Sequence, residues 1–187
     1  MWLLSFCQWI QSIGFLTGIR ESAMVYPFIM TTHLSCIALF GGMILMTDMR
    51  LLGLALKKYT VTEVVSTLRP WKRVGFCIMI TMGLLLAGSE AEKYYHNPYF
   101  WIKMSLLVTV GIHALIFRPS VYNRTEEIDR APAIPGRAKA AAVCSLVIWF
   151  GVLTFGRLIG YYEGEKPQQP KAQAQIQVQV IAATLRR

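Results

Sequence analysis

Residues 97–117 read NPYFWIKMSLLVTVGIHALIF, and their reading decides the fold. Asn97 can cap a helix with its side-chain oxygen, and Pro98 suits the first helical position, where no N–H is needed. About twenty residues follow before Arg118 and Pro119. At about 1.5 Å each they span roughly 30 Å, the thickness of a bilayer's hydrocarbon core. Nearly all are apolar, but Lys103 lies shortly inside the start and His113 near the far end. A lysine within a span costs about 2.5–3.5 kcal/mol on insertion scales. Lys103 therefore calls for a partner or a ligand.

Working outward, three more apolar stretches have spanning length: residues 26–47, 71–89 and 138–161. The four cover about half of the 187 residues, and the connections are too short for a separate soluble domain. The composition agrees, with 55% hydrophobic and 16% charged residues against about 25% charged in average globular chains. The expected fold is an all-α membrane protein, an antiparallel four-transmembrane-helix bundle. An interfacial amphipathic helix precedes it. Residues 1–22 hold that helix, 23–162 the bundle, and 163–187 an extended or mobile periplasmic tail rich in Gln, Pro, Ala and Lys.

The amphipathic reading rests on Trp2, Phe6, Trp9 and Ile13, which fall on one helical stripe, with Ser5, Gln8, Gln11 and Ser12 elsewhere around the turn. The segment lacks a basic start and a small-residue cleavage site, which argues against a removed signal peptide. Thr60-Val-Thr-Glu63 is a capping-box pattern, read as the start of a short surface helix that Pro70 stops.

Orientation follows from basic residues. The first long loop and its flanks carry Arg50, Lys57, Lys58, Arg69, Lys72 and Arg73; the second carries Arg118, Arg124, Arg130, Arg137 and Lys139. The short link between spans two and three has only Lys93. The positive-inside rule puts both long loops in the cytoplasm and both termini in the periplasm of a bacterial inner membrane. The net charge of +9 is thus a matter of topology, and no nucleic-acid partner is expected. The expected partners are membrane lipid and other membrane subunits, with a quinone as a further candidate.

The remaining question is what other helices place at the depth of Lys103. Helix rise puts His33 roughly 10 Å below the start of span one and Arg157 roughly 6–8 Å from the end of span four, with Glu90 at the outer end of span two. Each span thus offers one ionisable group near one layer. Such groups are rare in spans and generally face a bundle interior. Two readings follow. In one, His33 ligates haem iron, Arg157 pairs with a propionate, and Lys103 is either the sixth ligand or a second propionate partner. In the other, no cofactor is present, Glu90 neutralises Lys103 or Arg157, and His33 hydrogen-bonds within the cluster. His113 lies roughly 15 Å deeper than Lys103. It serves either a second haem or a simple hydrogen bond to Asp48 or a loop carbonyl.

Cys7, Cys36, Cys77 and Cys144 form no CxxC pair, and those within spans read as small packing residues. Met43 with Met46, and Met79 with Met82, read as gap fillers in place of a copper site. Gly41, Gly42, Gly75, Gly83 and Gly88 read as positions of close helix approach. There is no Walker loop, GxGxxG, HExxH, GxSxG or CxxCH motif.

Several segments resemble a family of bacterial four-span membrane proteins of uncharacterised function: Ile19-Arg-Glu-Ser22 with Tyr26-Pro27, His33 with Asp48-Met-Arg-Leu-Leu-Gly53, Pro70-Trp71, Ser89-Glu-Ala-Glu-Lys-Tyr-Tyr-His-Asn-Pro98 with Lys103, and Gly156-Arg-Leu-Ile159. A His on span one and a Lys on span three also look like the membrane protoporphyrinogen oxidase family, which binds haem b. Copper-export membrane proteins and four-helix cytochromes b share the architecture, but the several span histidines of those cytochromes have no counterparts here. The expected function is a haem b-binding inner-membrane protein in electron transfer, as a subunit of a larger redox complex. The alternatives are a cofactor-free accessory subunit and a membrane enzyme acting on a porphyrin or a quinone.

Overall fold

A computed structural model describes residues 2–162; the expectation for the tail at 163–187 lies outside the described residues. Helices α1 (Trp2–Gln11), α2 (Gly14–Glu21), α3 (Val25–Leu52), α4 (Val61–Ser89), α5 (Ala91–Tyr95), α6 (Pro98–Phe117), α7 (Thr125–Arg130) and α8 (Gly136–Ile159) follow in order. A π-helical turn, Arg118–Tyr122, extends α6. No strand occurs among the described residues.

Four helices are long and apolar enough to cross a membrane: α3 with 28 residues, α4 with 29, α6 with its π turn at 25, and α8 with 24. Their outward faces carry large apolar side chains such as Leu39, Val108, Leu115 and Phe150. A soluble chain would bury such surface, whereas lipid accepts it. The chain is a multi-pass, all-α membrane protein.

Packing proceeds in a row. Helix α3 lies against α4 and against α8, and α8 lies against α6. Small residues set these contacts, as is usual where lipid gives no hydrophobic drive between helices. A Cβ on Gly41 would stand 2.5 Å from Trp149 Nε1, and a Cβ on Gly88 3.0 Å from Leu16 Cδ1. Gly75 also faces neighbours, Phe40 and Met43, whereas Gly42 meets nothing within 4 Å and is no contact position. The N-terminal face is closed by α1 and α2: Gln8 donates to Glu92 (2.9 Å), the Glu92 N–H donates to Gln11 (3.0 Å), and Arg20 donates to the Ser89 carbonyl (3.3 Å). Trp2, Trp9 and Phe15 point away from the bundle. The expected single N-terminal helix is therefore two, broken at Ser12, whose hydroxyl bonds back to the Trp9 carbonyl (2.7 Å).

The helix ends follow local chemistry. Asn97 accepts from the Tyr99 N–H (3.0 Å), as its position before Pro98 implies, and its amide also donates to the Ile159 carbonyl (3.1 Å). Gly53 ends α3 at φ +73°, a conformation that favours glycine, and its N–H bonds back into the last turn. Thr60 caps α4 as read from sequence, accepting from the Glu63 N–H (3.1 Å).

Pro70 corrects the sequence reading. It lies inside α4, and the expected surface helix and second span are one continuous helix. Proline removes one backbone bond and crowds the preceding turn, but packing on both sides carries the helix through. The second long loop also holds more structure than expected, because α7 lies within it.

From α7, Asp129 reaches the start of α4. One carboxylate oxygen accepts from the Val61 N–H (2.7 Å), the other from the Thr62 N–H (2.9 Å) and hydroxyl (2.7 Å). Burial alone would raise this carboxyl's pKa, but these bonds, with Arg50 nearby, hold it below the usual carboxylate value. Asp129→Ala should destabilise the protein by about 1–2 kcal/mol through loss of the cap, read as a lower melting temperature in detergent. The pH sign follows from the lowered folded value. The stabilisation is present above the unfolded carboxylate pKa and is lost as pH falls through the folded one. Asp129→Asn should therefore flatten the acid limb of the stability profile; an unchanged acid limb counts against this cap.

Candidate functional site

The site builds from His33, eight residues into α3, or about 12 Å below its start. Its imidazole lies over Gly83 of α4, where a Cβ would stand 3.0 Å from the ring's Cε1. One ring nitrogen engages the Met79 carbonyl. The other, Nδ1, is buried without a hydrogen-bond partner. An imidazole fixed by a backbone carbonyl with its second nitrogen free is arranged as a ligand imidazole is.

Lys103 of α6 is the charged neighbour of His33. Its chain crosses Gly156 of α8, where a Cβ would stand 3.7 Å from Nζ. Among the described residues Lys103 makes no hydrogen bond and no ion pair. His33 and Lys103 thus lie near enough to interact electrostatically, and glycines on α4 and α8 make room for both side chains.

The other three sequence candidates lie elsewhere. Arg157 is on the exposed side of α8; it donates to the Tyr161 hydroxyl (2.7 Å) and stacks over that ring at 4.8 Å. Glu90 accepts from Lys93 (2.9 Å) and from the Tyr26 hydroxyl (3.3 Å), so its charge is taken at the N-terminal face. Burial, with Tyr26 and Glu90 beside it, pushes the neighbouring Tyr94 phenol up, so it stays neutral. His113 Nε2 lies 3.0 Å from the Ala141 carbonyl, and its ring packs on Phe117. His96 is exposed against Tyr95. Among the described residues no group of three or more His, Cys, Asp or Glu converges as a metal site.

A second buried cluster escaped the sequence reading. Asp48, near the end of α3, is 1% exposed, and its Oδ2 has no hydrogen-bond partner. Tyr122 of the π turn and Ser145 of α8 hydrogen-bond to its carboxyl, and Lys72 of α4 is its charged neighbour. Lys72 donates to the Thr47 hydroxyl (2.6 Å). All four spans contribute. The signal was present, since Asp48 lies at the end of a long and mostly apolar helix. Stopping a helix at Pro70 placed Lys72 at a span's mouth among loop charges. In the continuous α4 it lies eleven residues inside the helix.

No curated protein and no solved structure matches the chain. A protein-family model described as "Family of unknown function (DUF6644)" matches residues 6–162. That range takes in every helix but the first turn of α1, together with His33, Lys103 and Asp48, and the chain belongs to this family.

Proposed function

We propose that this protein binds haem b in the membrane and passes electrons, as a subunit of a larger redox complex. The observation that supports this best is His33 Nδ1, buried without a hydrogen-bond partner, with Lys103 of α6 as its charged neighbour. These donors fit a haem iron. His33 would hold the iron, oriented by the Met79 carbonyl. Lys103 would be the second ligand as a neutral amine, or a propionate partner as an ammonium. Haem bound there supplies one-electron chemistry. The chain supplies orientation, a dry setting and a fixed tautomer. Arg157, bound to Tyr161, is not needed in this arrangement. The similarity to the membrane protoporphyrinogen oxidases rests on the same two residues, so a porphyrin or a quinone stays a candidate substrate or partner. The aromatic row on α1 favours the second reading, a cofactor-free accessory subunit that docks a membrane complex through that helix.

The membrane proposed is a bacterial inner membrane, with α1, α2 and Tyr162 periplasmic, because the basic residues gather on the opposite face. Alkaline phosphatase fused after Tyr162 should be active, and activity from a fusion at Asn123 reverses the orientation.

The test of function is a pyridine haemochrome spectrum of the full chain purified after haem-replete expression. A b-type spectrum at about one haem per chain is expected, as a single liganding His allows. A haem-free protein that is otherwise folded removes the redox reading and leaves the accessory one.

A further inference from the structure

At the loop face, at the other end of α4 from α1 and α2, a cavity of about 450 Å³ lies between α4 and α7. It shares no residue with His33 or Lys103, so its role is independent of haem. Ser66 and Arg69 line it from α4, and Arg124, Glu126, Glu127 and Arg130 from the facing segment. Two sets of bonds hold these walls in place. Asp129 ties α7 to the first turn of α4, which also takes up its charge. Arg69 donates to the Tyr122 carbonyl (2.9 Å). The other charges are loosely paired. Arg124 stands 3.6 Å from Glu127 and Arg130 3.6 Å from Glu126, and all four side chains are exposed. Exposed pairs of this kind contribute little, so they open to a ligand at small cost. A bare anion would meet two carboxylates here, and a bare cation three guanidiniums. A ligand that carries both charges answers both.

The way into the cavity points to the membrane as the source of that ligand. Ser66, Arg69, Arg73, Phe76 and Ile80 follow one another at steps of three and four residues, which is one face of α4. Arg73, Phe76 and Ile80 are exposed, so the face that lines the cavity runs on as lipid-facing surface. Exposed Trp71 marks the level of the membrane border. Helix rise puts Arg69 about 3 Å and Ser66 about 7 Å beyond it, within a headgroup layer about 5–8 Å deep. We infer that this cavity is the headgroup site of a phosphoethanolamine lipid. The phosphate takes the Arg69 and Arg124 guanidiniums, whose planar forks suit its oxygens. The ammonium donates to Glu126 and Glu127, and the acyl chains lie along Phe76 and Ile80.

The test is native mass spectrometry of the delipidated full chain in detergent. It is titrated with phosphatidylethanolamine, phosphatidylcholine and phosphatidylglycerol of identical acyl chains. Phosphatidylethanolamine should bind about tenfold tighter than phosphatidylcholine, whose methylated amine has no N–H for the glutamates; a hydrogen bond to a charged group is worth about that factor. Arg124→Gln should weaken phosphatidylethanolamine. Glu126→Gln with Glu127→Gln should bring it down to phosphatidylcholine and leave phosphatidylglycerol no weaker. These side chains are exposed, so the variants should fold as wild type. Equal binding of phosphatidylethanolamine and phosphatidylcholine by wild type overturns the proposal, and this measurement stands without any variant. A preference that survives all three substitutions places the lipid elsewhere and also overturns it. Phosphatidylglycerol binding tightest to wild type makes the cavity a plain anion site and overturns the part assigned to the amine. Free phosphoethanolamine in excess should leave the lipid bound; displacement overturns the membrane as the source.

Discussion

His33→Ala should purify with its haem absorption lost, while inserting in the membrane and eluting as wild type. Removing even an outer partner of a ligand costs about 10–100-fold in affinity, so loss of the ligand itself should cut haem content by more than about tenfold. Insertion should survive because Ala removes only the ring's contact with Gly83 and its bond to the Met79 carbonyl, while α3 and α4 keep the rest of their packing. Lys103→Met should retain haem with an altered spin state or potential, since a thioether replaces an amine at the same reach. Arg157→Leu should leave haem content unchanged, because the guanidinium is held by Tyr161. Sequence alone implied the opposite for Arg157. Haem content unchanged in His33→Ala rejects this ligand, and a loss confined to Arg157→Leu restores the propionate role to Arg157.

The second large effect concerns the seam between α3 and α8. A Cβ on Gly41 would stand 2.5 Å from Trp149 Nε1 and 3.3 Å from Cε2. The indole is wedged among Phe40, Met79 and Val152, with Phe40 edge-on at 5.4 Å. Gly→Ala within a helix normally gains up to about 1 kcal/mol. Overpacking costs about 1–3 kcal/mol, and here the obstacle is a rigid ring, so the clash should win. Gly41→Ala should lower the melting temperature by several degrees. Gly42→Ala, one residue along with open space around it, should be neutral or stabilising. Trp149→Leu in the same chain should recover much of the Gly41→Ala loss, a coupling that a double-mutant cycle reads directly. Equal effects at Gly41 and Gly42 contradict this packing.

The spans were legible because apolar length is a strong signal and lipid forces the helix. The Asn97–Pro98 start was legible because both residues act within one turn. Pro70 misled because its local penalty is real, yet tertiary packing outweighs it. The cap of α4 by Asp129 could not be read, since it joins residues nearly seventy apart in sequence. Depth placed His33 and Lys103 in one layer, and the structure makes Lys103 the charged neighbour of His33. Depth says nothing of azimuth, and Arg157 lies on the exposed side of α8, bonded to Tyr161. It follows Gly156, which does face Lys103, but one residue is about 100° around a helix.

The row of helices also implies an order of assembly. Two hairpins, α3 with α4 and α6 with α8, join spans that are neighbours in sequence, while α3 and α8 meet from opposite ends of the bundle's sequence. Loop closure favours the near contacts first, so each hairpin zips before the two dock. Asp129 belongs to the second hairpin, yet it completes the first turn of α4 in the first. The Val61 and Thr62 amides therefore gain their carboxylate partner only when the hairpins dock, whereas Thr60 caps the same turn from within the first hairpin.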